Sequence, residues 1–378
     1  MTSLSRVASL VEDADRDLKI NFSQTLVKWQ RTHGRNSLPW QNTRDPYRVW
    51  LSEIMLQQTQ VATVMDYYVR FLERFPAVAH LAAAHADDVL ALWSGLGYYS
   101  RARNLHRCAQ QVMALHSGQF PLTAEELQTL PGIGPSTAAA IASFCFAERV
   151  AILDGNVKRV LARVLAFSGD MAEGAQERKL WGVATSLLPE TELGQMMPRY
   201  TQGLMDLGAT VCTRRKPQCS VCPVQSMCQG FAKGEPEKFP VKTRKLKRSS
   251  QKLSLLWAQR PDGSVWLERR PGTGIWGGLY CLPVFDSHEE LEAFVPGGLH
   301  ARMESLEPFV HVLTHKDLHL CPVIVGFLQS QPMPSTASGA PAVSKPEIPG
   351  AWFAPDAWPA LGLPAPIRKL LAREAAGL

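Results

Sequence analysis

The spacing of apolar positions divides the chain into a helical part and a later part with strands. From Asn21 to about Gly234, apolar residues recur at the three- and four-residue intervals of amphipathic helices. The clearest stripe occupies positions 157, 160, 161, 164 and 165, all Val or Leu. Thr123-x-x-Glu126 adds a capping-box signal for a helix start. No long alternating run predicts a strand, so we expect an all-α domain over residues 21–234, after an N-terminal extension of residues 1–20.

The pattern changes after Gly234. Residues 235–250 predict an exposed basic linker, whose basic residues include Lys242, Arg244, Lys245, Lys247 and Arg248. Beyond it, apolar runs at 253–258 and 265–269 flank Pro261-Asp262-Gly263, which is typical of a β-hairpin. Further strands are predicted at 309–314 and 318–327, with helices after Ser287 and near Leu370, and a loose loop at 329–349. Residues 251–378 therefore predict a second, α+β domain.

The composition excludes some classes of protein but does not identify a function. The 378 residues are 46% hydrophobic and 20% charged, which suffices for packed cores in two or three domains. The net charge of +6 permits a polyanionic partner but does not require one. No uncharged apolar run reaches the ~18 residues of a membrane span. Acidic residues at positions 12, 13, 15 and 17 argue against a leader peptide. We expect a soluble, cytoplasmic monomer, nucleoid-associated if the source is bacterial.

The cysteines point to a metal. Of the eight in the chain, four fall between positions 212 and 228, as Cys212-x6-Cys219-x2-Cys222-x5-Cys228. Four thiolates in a compact loop suit either tetrahedral zinc or a [4Fe–4S] cluster. Structural zinc usually takes two short knuckles, and only one short spacing exists here, so the spacing favours the cluster over zinc or free thiols. The basic residues at positions 214–216 lie inside the first loop, either to bind phosphate or as a solvated surface.

A glycine-rich turn between two predicted helices indicates a phosphate-binding hairpin. It spans Leu130 to Ala138, with Gly132 and Gly134 followed by an Ala-rich helix from Ser136. Without a Cβ, these glycines let backbone N–H groups approach a phosphate beside a helix N-terminus. A turn that only reverses the chain is the alternative. The two flanking helices favour a helix-hairpin-helix grip on a nucleic-acid backbone, which carries no sequence information.

Two carboxylates are candidates for acid–base chemistry. Glu53 lies on a predicted helix beside Val49 and Trp50, and desolvation there would raise the pKa of a carboxyl to a value useful for a general acid. A structural helix residue paired with Arg48 is the alternative. Asp154 opens the next helix after the hairpin, where an N-cap role competes with a catalytic one.

Taken together, these motifs resemble the MutY-type adenine DNA glycosylases of the endonuclease III superfamily. The resemblance is carried by the following segments in family order: Leu38–Trp40, Leu51–Gln60, Gly95–Tyr99, Leu130–Ala138, Leu153–Arg159, the four-cysteine loop and Gly274–Tyr280. It covers nearly the whole chain. It implies a helix-hairpin-helix glycosylase domain with an iron–sulfur loop, followed by a Nudix-like domain.

The resemblance also implies a reaction and roles for residues. The substrate would be double-stranded DNA carrying adenine opposite 8-oxoguanine or G, and the product an abasic site. Glu53 matches the acid that protonates adenine, Asp154 the carboxylate that stabilises the cationic sugar, and Asn156 a residue that helps to hold it. Gln58 and Tyr98 match residues inserted into the base stack. The DNA-binding set it implies is Trp40, Gln58, Thr59, Leu96, Tyr98, Gly132, Gly134, Ser136 and Lys158.

Two positions refine this expectation. Relatives that also cut the strand carry a Schiff-base lysine where this chain has Ser136, so we expect a monofunctional enzyme. The Nudix-like domain lacks the R-E-x-x-E-E element of a hydrolase and would instead recognise 8-oxoguanine through Thr314 and His315. Leu313 replaces an aromatic residue common in the family.

Three rival functions follow from parts of the pattern. An endonuclease III-like glycosylase–lyase for oxidised pyrimidines is disfavoured by Ser136 and by the second domain. A nucleotide pyrophosphatase is disfavoured by the missing acidic element. A non-enzymatic iron–sulfur protein would need neither Glu53 nor Asp154.

Overall fold

The computed structural model describes residues 16–243, 247–334 and 350–375. Its first part is helical, as predicted. The helices are α1 (Arg16–His33), α2 (Pro46–Leu56), α3 (Val61–Arg74), α4 (Val78–Ala83), α5 (Ala86–Trp93), α6 (Ser100–His116), α7 (Ala124–Leu127), α8 (Pro135–Phe146), α9 (Gly155–Val164), α10 (Gly174–Ser186), α11 (Leu193–Asp206) and α12 (Gln229–Ala232). A π-helical turn, Leu207–Val211, follows α11 directly, and short 3₁₀ turns at Cys219–Val221, Gln225–Met227 and Pro236–Lys238 surround α12.

Local signals explain where these helices begin. Asp45 caps α2 by accepting a hydrogen bond from the Tyr47 backbone N–H at 2.9 Å, and Pro46 occupies the first turn. Thr123 caps α7 by accepting from the Glu126 N–H, as the capping box predicts. Helix α1 begins at Arg16, earlier than the predicted start at Asn21, and α8 begins at Pro135 rather than Ser136.

The core of the helical part forms around α9. Its predicted stripe is buried up to Val164, with Val157 and Leu161 wholly inaccessible, whereas Leu165 lies just past the helix end and is partly exposed. These side chains pack against residues of α1, α8, α10 and α11, among them Phe22, Leu26, Ala139, Leu180 and Tyr200. The apolar face of α9 is therefore enclosed by the helices that surround it, while its N-terminal turn remains available for polar side chains.

The second part is a mixed sheet with two flanking helices. The strands are β1 (Ser249–Gln259), β2 (Val265–Arg269), β3 (Tyr280–Cys281), β4 (Val284–Phe285), β5 (Met303–Ser305), β6 (Phe309–Val312), β7 (Lys316–Gly326) and β8 (Gly350–Phe353). The helices are α13 (His288–Phe294) and α14 (Ala365–Ala375), with 3₁₀ turns at Gly297–Arg302 and Trp358–Ala360. The described part confirms the predicted α+β class.

The order of the sheet is β3-β2-β1-β7-β5. The predicted hairpin is present, since β1 and β2 pair antiparallel at Gln259 and Val265. β1 and β7 pair in parallel along their full length, from Ser249 opposite Lys316 to Gln259 opposite Gly326. β6 pairs antiparallel with β7, so that residues 313–315 form the tight turn between them. The strand predicted over 309–314 therefore ends at Val312, and the predicted lesion residues lie on the turn.

Contacts between Cα atoms divide the chain into two compact units. One unit contains Met1–Ala82, described from residue 16, together with Arg107–Lys245; the other contains Ala83–His106 and Leu246–Leu378. The domain boundaries expected from the sequence, at residues 20, 234 and 250, remain a prediction. Of the predicted basic linker, Arg244 and Lys245 lie outside the described residues, as do positions 335–349 of the predicted loop and residues 1–15 of the extension. Among the described residues, no helix has both the length and the apolar character needed to cross a membrane.

A buried pair of hydroxyl groups joins α8 to α11 and offers a test of the packing. Ser143 Oγ and Thr201 Oγ1 are 2.8 Å apart, and both residues are buried. We expect Thr201→Val to lower the free energy of unfolding by about 1–3 kcal/mol, because it leaves the other hydroxyl unpaired in an apolar interface.

The double variant Ser143→Ala/Thr201→Val is the matched control. It removes both hydroxyls, so it should cost less than the sum of the two single variants in urea unfolding. Strict additivity would show that the two groups do not interact.

Candidate active site and cysteine loop

Glu53 borders a polar cavity of the helical unit. The cavity has a volume of about 620 Å³, within the ~300–1,000 Å³ typical of small-molecule pockets. Beside Glu53 it is lined by Trp40, by amide and guanidinium groups from residues 30–44, and by polar residues of α11 that include Gln202. Glu53 and Trp40 were predicted site residues, but the sequence pattern did not identify the others, because they come from segments far apart in the chain.

The surroundings of Glu53 raise the pKa of its carboxyl to about 7 from an ordinary 4.5. Burial is the larger cause, and the negative charge of Asp154 is the second. The side chain is only partly exposed, and its helical neighbours Val49 and Trp50 are buried. Arg48, the partner that a structural role would require, instead lies 3.6 Å from Asp45. The expected raised pKa is confirmed, and the carboxyl can be neutral near neutral pH.

Asp154 is both the N-cap of α9 and an electrostatic neighbour of Glu53. Its Oδ1 accepts a hydrogen bond from the Val157 N–H at 2.8 Å. Burial raises the pKa of Asp154, while the backbone N–H groups of Val157 and Asn156 and the charges of Arg159 and Lys158 oppose that rise. The N-cap role and the catalytic role of Asp154 are therefore compatible, because the capping hydrogen bond fixes the carboxylate at the helix N-terminus.

Arg159 connects this helix turn to the cysteine loop. It donates to Asn156 Oδ1 at 2.8 Å, to the carbonyl of Cys212 at 2.8 Å and to that of Gly208 at 2.6 Å. Gly208 packs so closely that a Cβ there would lie 2.6 Å from Asn156 Cβ. No role for Arg159 was predicted, although its spacing three residues after Asn156 on a helix was a usable signal in the sequence.

The glycine hairpin has an open surface beside the start of α8. Gly132 adopts φ of +79°, which favours glycine, and Gly134 caps α8 with no atom within 4 Å of the position a Cβ would take. The space beside Gly134 is therefore free for the close approach that the sequence predicts. Ser136 Oγ accepts a hydrogen bond from the Leu153 N–H at 3.2 Å, so position 136 lies beside the residue that precedes Asp154.

The residues expected to insert into DNA have unusual backbone conformations. Gln58 and Tyr98 adopt left-handed φ values of +57° and +48°, and both side chains are exposed. Non-glycine residues hold this conformation only where the surrounding structure imposes it. Tyr98 forms a hydrogen bond with the hydroxyl of Thr314, and the Thr314 carbonyl accepts from Arg248 at 3.1 Å. Within the second unit, the structure thus brings together two predicted site residues distant in sequence.

The other expected DNA-binding residues occupy different environments. Trp40 and Leu96 are buried, and the Trp40 ring packs edge-on against Tyr68 at 5.3 Å. Lys158 Nζ lies 2.5 Å from Glu177 Oε1, so this lysine is ion-paired. Thr59 is partly exposed, and its backbone N–H donates to the Leu56 carbonyl. His315 is exposed, and its carbonyl accepts from the Ser249 N–H at 3.1 Å.

The four cysteines line one small pocket with Arg163. Its lining includes Cys212, Cys219, Cys222 and Cys228. Arg163 is buried and donates to Cys212 Sγ at 3.3 Å and to the Thr213 carbonyl at 2.6 Å, while its own carbonyl accepts from Cys228 Sγ at 3.4 Å. Across the described residues, no three Cys, His, Asp or Glu side chains are arranged to hold a bare metal ion. Arg163 could have been recognised in the sequence, because it is a charged residue next to the buried stripe of α9.

Three stretches of the chain match known families. Residues 51–185 match the HhH-GPD superfamily of base excision DNA repair proteins, residues 212–228 the iron-sulfur binding domain of endonuclease III, and residues 255–373 the NUDIX domain. These matches confirm the predicted order of a helical glycosylase domain, an iron–sulfur loop and a Nudix-like domain.

Similar proteins extend over most of the chain. It is 38% identical to an adenine DNA glycosylase of Buchnera aphidicola subsp. Acyrthosiphon pisum, over 81% of this chain and 87% of that protein. It is 34% identical to the adenine DNA glycosylase of Buchnera aphidicola subsp. Schizaphis graminum, over 93% and 97%. Among solved structures, a thermostable thymine-DNA glycosylase is similar with a TM-score of 0.50 at 27% identity, covering 57% of this chain and 97% of that one.

The raised pKa of Glu53 predicts a pH-dependent stability. Between pH 4.5 and about 7 the folded protein keeps a proton that an unfolded glutamate has lost, so ionising Glu53 destabilises the fold as pH rises through this window. Glu53→Gln removes that ionisation. We therefore expect the variant to gain more in Tm relative to wild type at pH 8 than at pH 5.

Glu73→Gln, an exposed carboxylate on α3, is the matched control and should not gain in this way. An equal difference in Tm between Glu53→Gln and wild type at both pH values would contradict the raised pKa.

Proposed function

Because this chain belongs to the adenine DNA glycosylase family, and so is a base excision repair glycosylase acting on adenine, we propose a finer reaction for it. It hydrolyses the N-glycosidic bond of adenine mispaired with 8-oxoguanine, or with G, in double-stranded DNA and leaves an abasic site. The observation that carries this proposal is the carboxyl of Glu53, with a pKa of about 7, at the wall of a cavity large enough for a base and within the field of Asp154.

The chemistry assigns different work to the two carboxyl groups. An adenine inside a duplex is out of reach and must be flipped into the cavity. Glu53, neutral near pH 7, donates a proton to the leaving base, and the carboxylate that remains can then activate water. Asp154, anchored by its cap hydrogen bond, supplies negative charge next to the oxocarbenium-like sugar. Asn156, positioned by Arg159, helps to hold the sugar in that field.

DNA is held by contacts that carry little sequence information. The backbone N–H groups behind Gly132 and Gly134 bind a phosphate, and the macrodipole at the start of α8 favours the negative charge. Gln58 and Tyr98, exposed and fixed in left-handed conformations, fill the space that the flipped nucleotide leaves. Lys158 lies in the first turns of α9 and is paired with Glu177, so it contributes to the charge of that helix and is not a free cation.

The cysteine residues suit a [4Fe–4S] cluster. Burial, followed by the neighbouring cysteine charges, raises the pKa of Cys222 to about 11, so several thiolates can coexist there only with a compensating cation. The match to the iron-sulfur binding domain of endonuclease III supports iron over zinc. Cys212, Cys219, Cys222 and Cys228 would hold the cluster, which braces the loop carrying the basic residues 214–216.

The Nudix-like domain recognises the oxidised base in this proposal. Thr314 and His315 are exposed on the turn between β6 and β7, where they can reach a base edge. The Ser287 hydroxyl caps α13 by accepting from the Glu290 N–H, and Glu289 is exposed, so these acidic residues serve the helix start rather than a metal. Nucleotide hydrolysis by this domain is therefore not part of the proposal.

Replacing the acid tests the reaction directly. Glu53→Gln should lose ~10²-fold or more in single-turnover excision of adenine opposite 8-oxoguanine, because an amide cannot deliver the proton, while duplex binding stays near wild type.

The wild-type protein should excise A opposite 8-oxoguanine and A opposite G but not thymine glycol, and should contain iron and acid-labile sulfide in the proportion of a [4Fe–4S] cluster. Excision by Glu53→Gln at the wild-type rate would refute the assignment, and removal of thymine glycol would favour the lyase alternative.

The monofunctional mechanism is tested by restoring an amine. Position 136 lies next to Leu153, so Ser136→Lys should place an amine near the sugar carbon that Asp154 faces. We expect borohydride reduction to trap a covalent complex of this variant with DNA, well above the wild-type level. The matched control is Ser136→Met, which has similar length and no amine. Equal trapping by the lysine and methionine variants would show that position 136 does not face the lesion.

A further inference from the structure

The loop that carries Tyr98 is fixed at both ends by one backbone carbonyl. We call Gly95–Tyr98 the wedge loop. Ser94, directly before it, donates its hydroxyl to the carbonyl of Leu363 at 2.8 Å, and Tyr99, directly after it, donates to the same carbonyl at 3.1 Å. The Tyr99 hydroxyl also accepts from the Gly95 N–H at 3.3 Å. All of these residues belong to the second unit.

The inner side of the wedge loop is held by α6. Arg101, a buried residue, donates to the carbonyls of Leu96 and Gly97 at 3.1 and 3.2 Å. Its guanidinium lies over the rings of Trp93 and Tyr98, at 5.2 and 5.6 Å from their centroids. Burial lowers the pKa of Arg101 to about 10, which leaves it charged at neutral pH. Arg101 therefore holds the face of the Tyr98 ring, while the residue as a whole remains exposed.

The segment that supplies the Leu363 carbonyl is itself rigid. We call residues 359–363 the C-terminal strap. Arg368 of α14 donates to the carbonyls of Pro359 and Leu361 at 2.8 and 2.6 Å, and its Nε lies 3.2 Å from Ser94 Oγ. The strap packs directly on α5, because a Cβ at Gly362 would lie 2.8 Å from Leu90 Cβ. One arginine thus joins the strap to the flank of the wedge loop.

The wedge loop needs such support because holding its backbone in one conformation costs conformational entropy. Gly95 and Gly97 have φ of +107° and +71°, and Tyr98 is left-handed at +48°. A free loop with two glycines would sample many conformations, and ordering it on DNA would consume binding free energy. Support that already exists before DNA binds avoids that loss.

We propose that the C-terminal strap and Arg368 are positioning elements that hold the wedge loop in its DNA-inserting shape. This rests on the proposed function, in which Tyr98 enters the base stack. The strap therefore affects the extrusion of the adenine from the base stack, a step that excision from either mispair requires. It differs from His315, whose contact with the oxidised base matters only for A opposite 8-oxoguanine.

The test compares full-length variants that each remove one link. Tyr99→Phe keeps the ring and loses both hydroxyl hydrogen bonds, and Arg368→Gln loses the arginine link. Arg373→Gln, exposed on the same helix, is the matched control. His315→Ala, which leaves the hydrogen bond between Tyr98 and Thr314 in place, is the comparator for lesion reading. Single-turnover excision is measured on A opposite 8-oxoguanine and A opposite G, with 2-aminopurine fluorescence beside the target reporting unstacking. Thermal unfolding shows that each variant is folded.

We expect Tyr99→Phe and Arg368→Gln to slow excision about 10-fold on both mispairs by the same factor, with a matching delay in fluorescence, since small misplacements can cost up to ~10²-fold. Flanking the target with mismatched pairs, which lowers the cost of unstacking, should restore most of the rate. A damaged fold would not recover in this way. Arg373→Gln should match wild type, and His315→Ala should lose rate mainly opposite 8-oxoguanine.

Each other outcome overturns a distinct statement. Wild-type rates for both Tyr99→Phe and Arg368→Gln would refute the positioning role of the strap. So would a loss of rate confined to A opposite 8-oxoguanine, or a loss of rate that mismatched flanks do not restore. If Tyr99→Phe fails to fold, Ser94→Ala replaces it with the same expectations. If the wild-type protein excises no adenine from either mispair, the proposed function fails instead.

Discussion

The burial of α9 is the constraint on which the candidate site depends. One face of this helix, including Val157 and Leu161, is enclosed in the helical core, so its rotation and depth cannot vary. Its first turn then places Asp154 at the cap, and Arg159 faces the cysteine loop. A small rotation of α9 would move all these groups at once. The carboxylate and the cysteine pocket are therefore parts of one rigid unit rather than two neighbouring sites.

The two carboxyl groups share burial but differ in what surrounds their charged forms. Burial together with the charge of Asp154 raises the pKa of Glu53 to about 7. Burial raises the pKa of Asp154 too, but backbone N–H groups and the charge of Arg159 oppose that rise because they stabilise the carboxylate. A difference of this kind between two carboxyl environments supports an acid role for Glu53 and an anionic role for Asp154.

In the second unit, hydrogen bonds from distant segments hold the wedge loop. The Leu363 carbonyl, Arg368 and the Thr314 hydroxyl each reach residues 94–99 from the later part of the chain. Hydrogen bonds are directional, so they can fix the backbone of a short glycine-containing loop. The turn at residues 313–315 and the wedge loop are consequently joined through Tyr98 and Thr314.

The sequence alone determined features that depend on neighbours a few residues apart. The cap at Thr123, the buried stripe of α9 and the β1–β2 hairpin were all predicted, because local hydrogen bonds and periodicity decide them. Only the tertiary structure decided features that depend on distances between remote segments. These include the pKa of Glu53, which needs a complete cavity, the bridge from Arg159 to Cys212, and the left-handed conformations of Gln58 and Tyr98. The grouping of residues 83–106 with the strap belongs there too, because no local pattern records which distant carbonyl a side chain will meet.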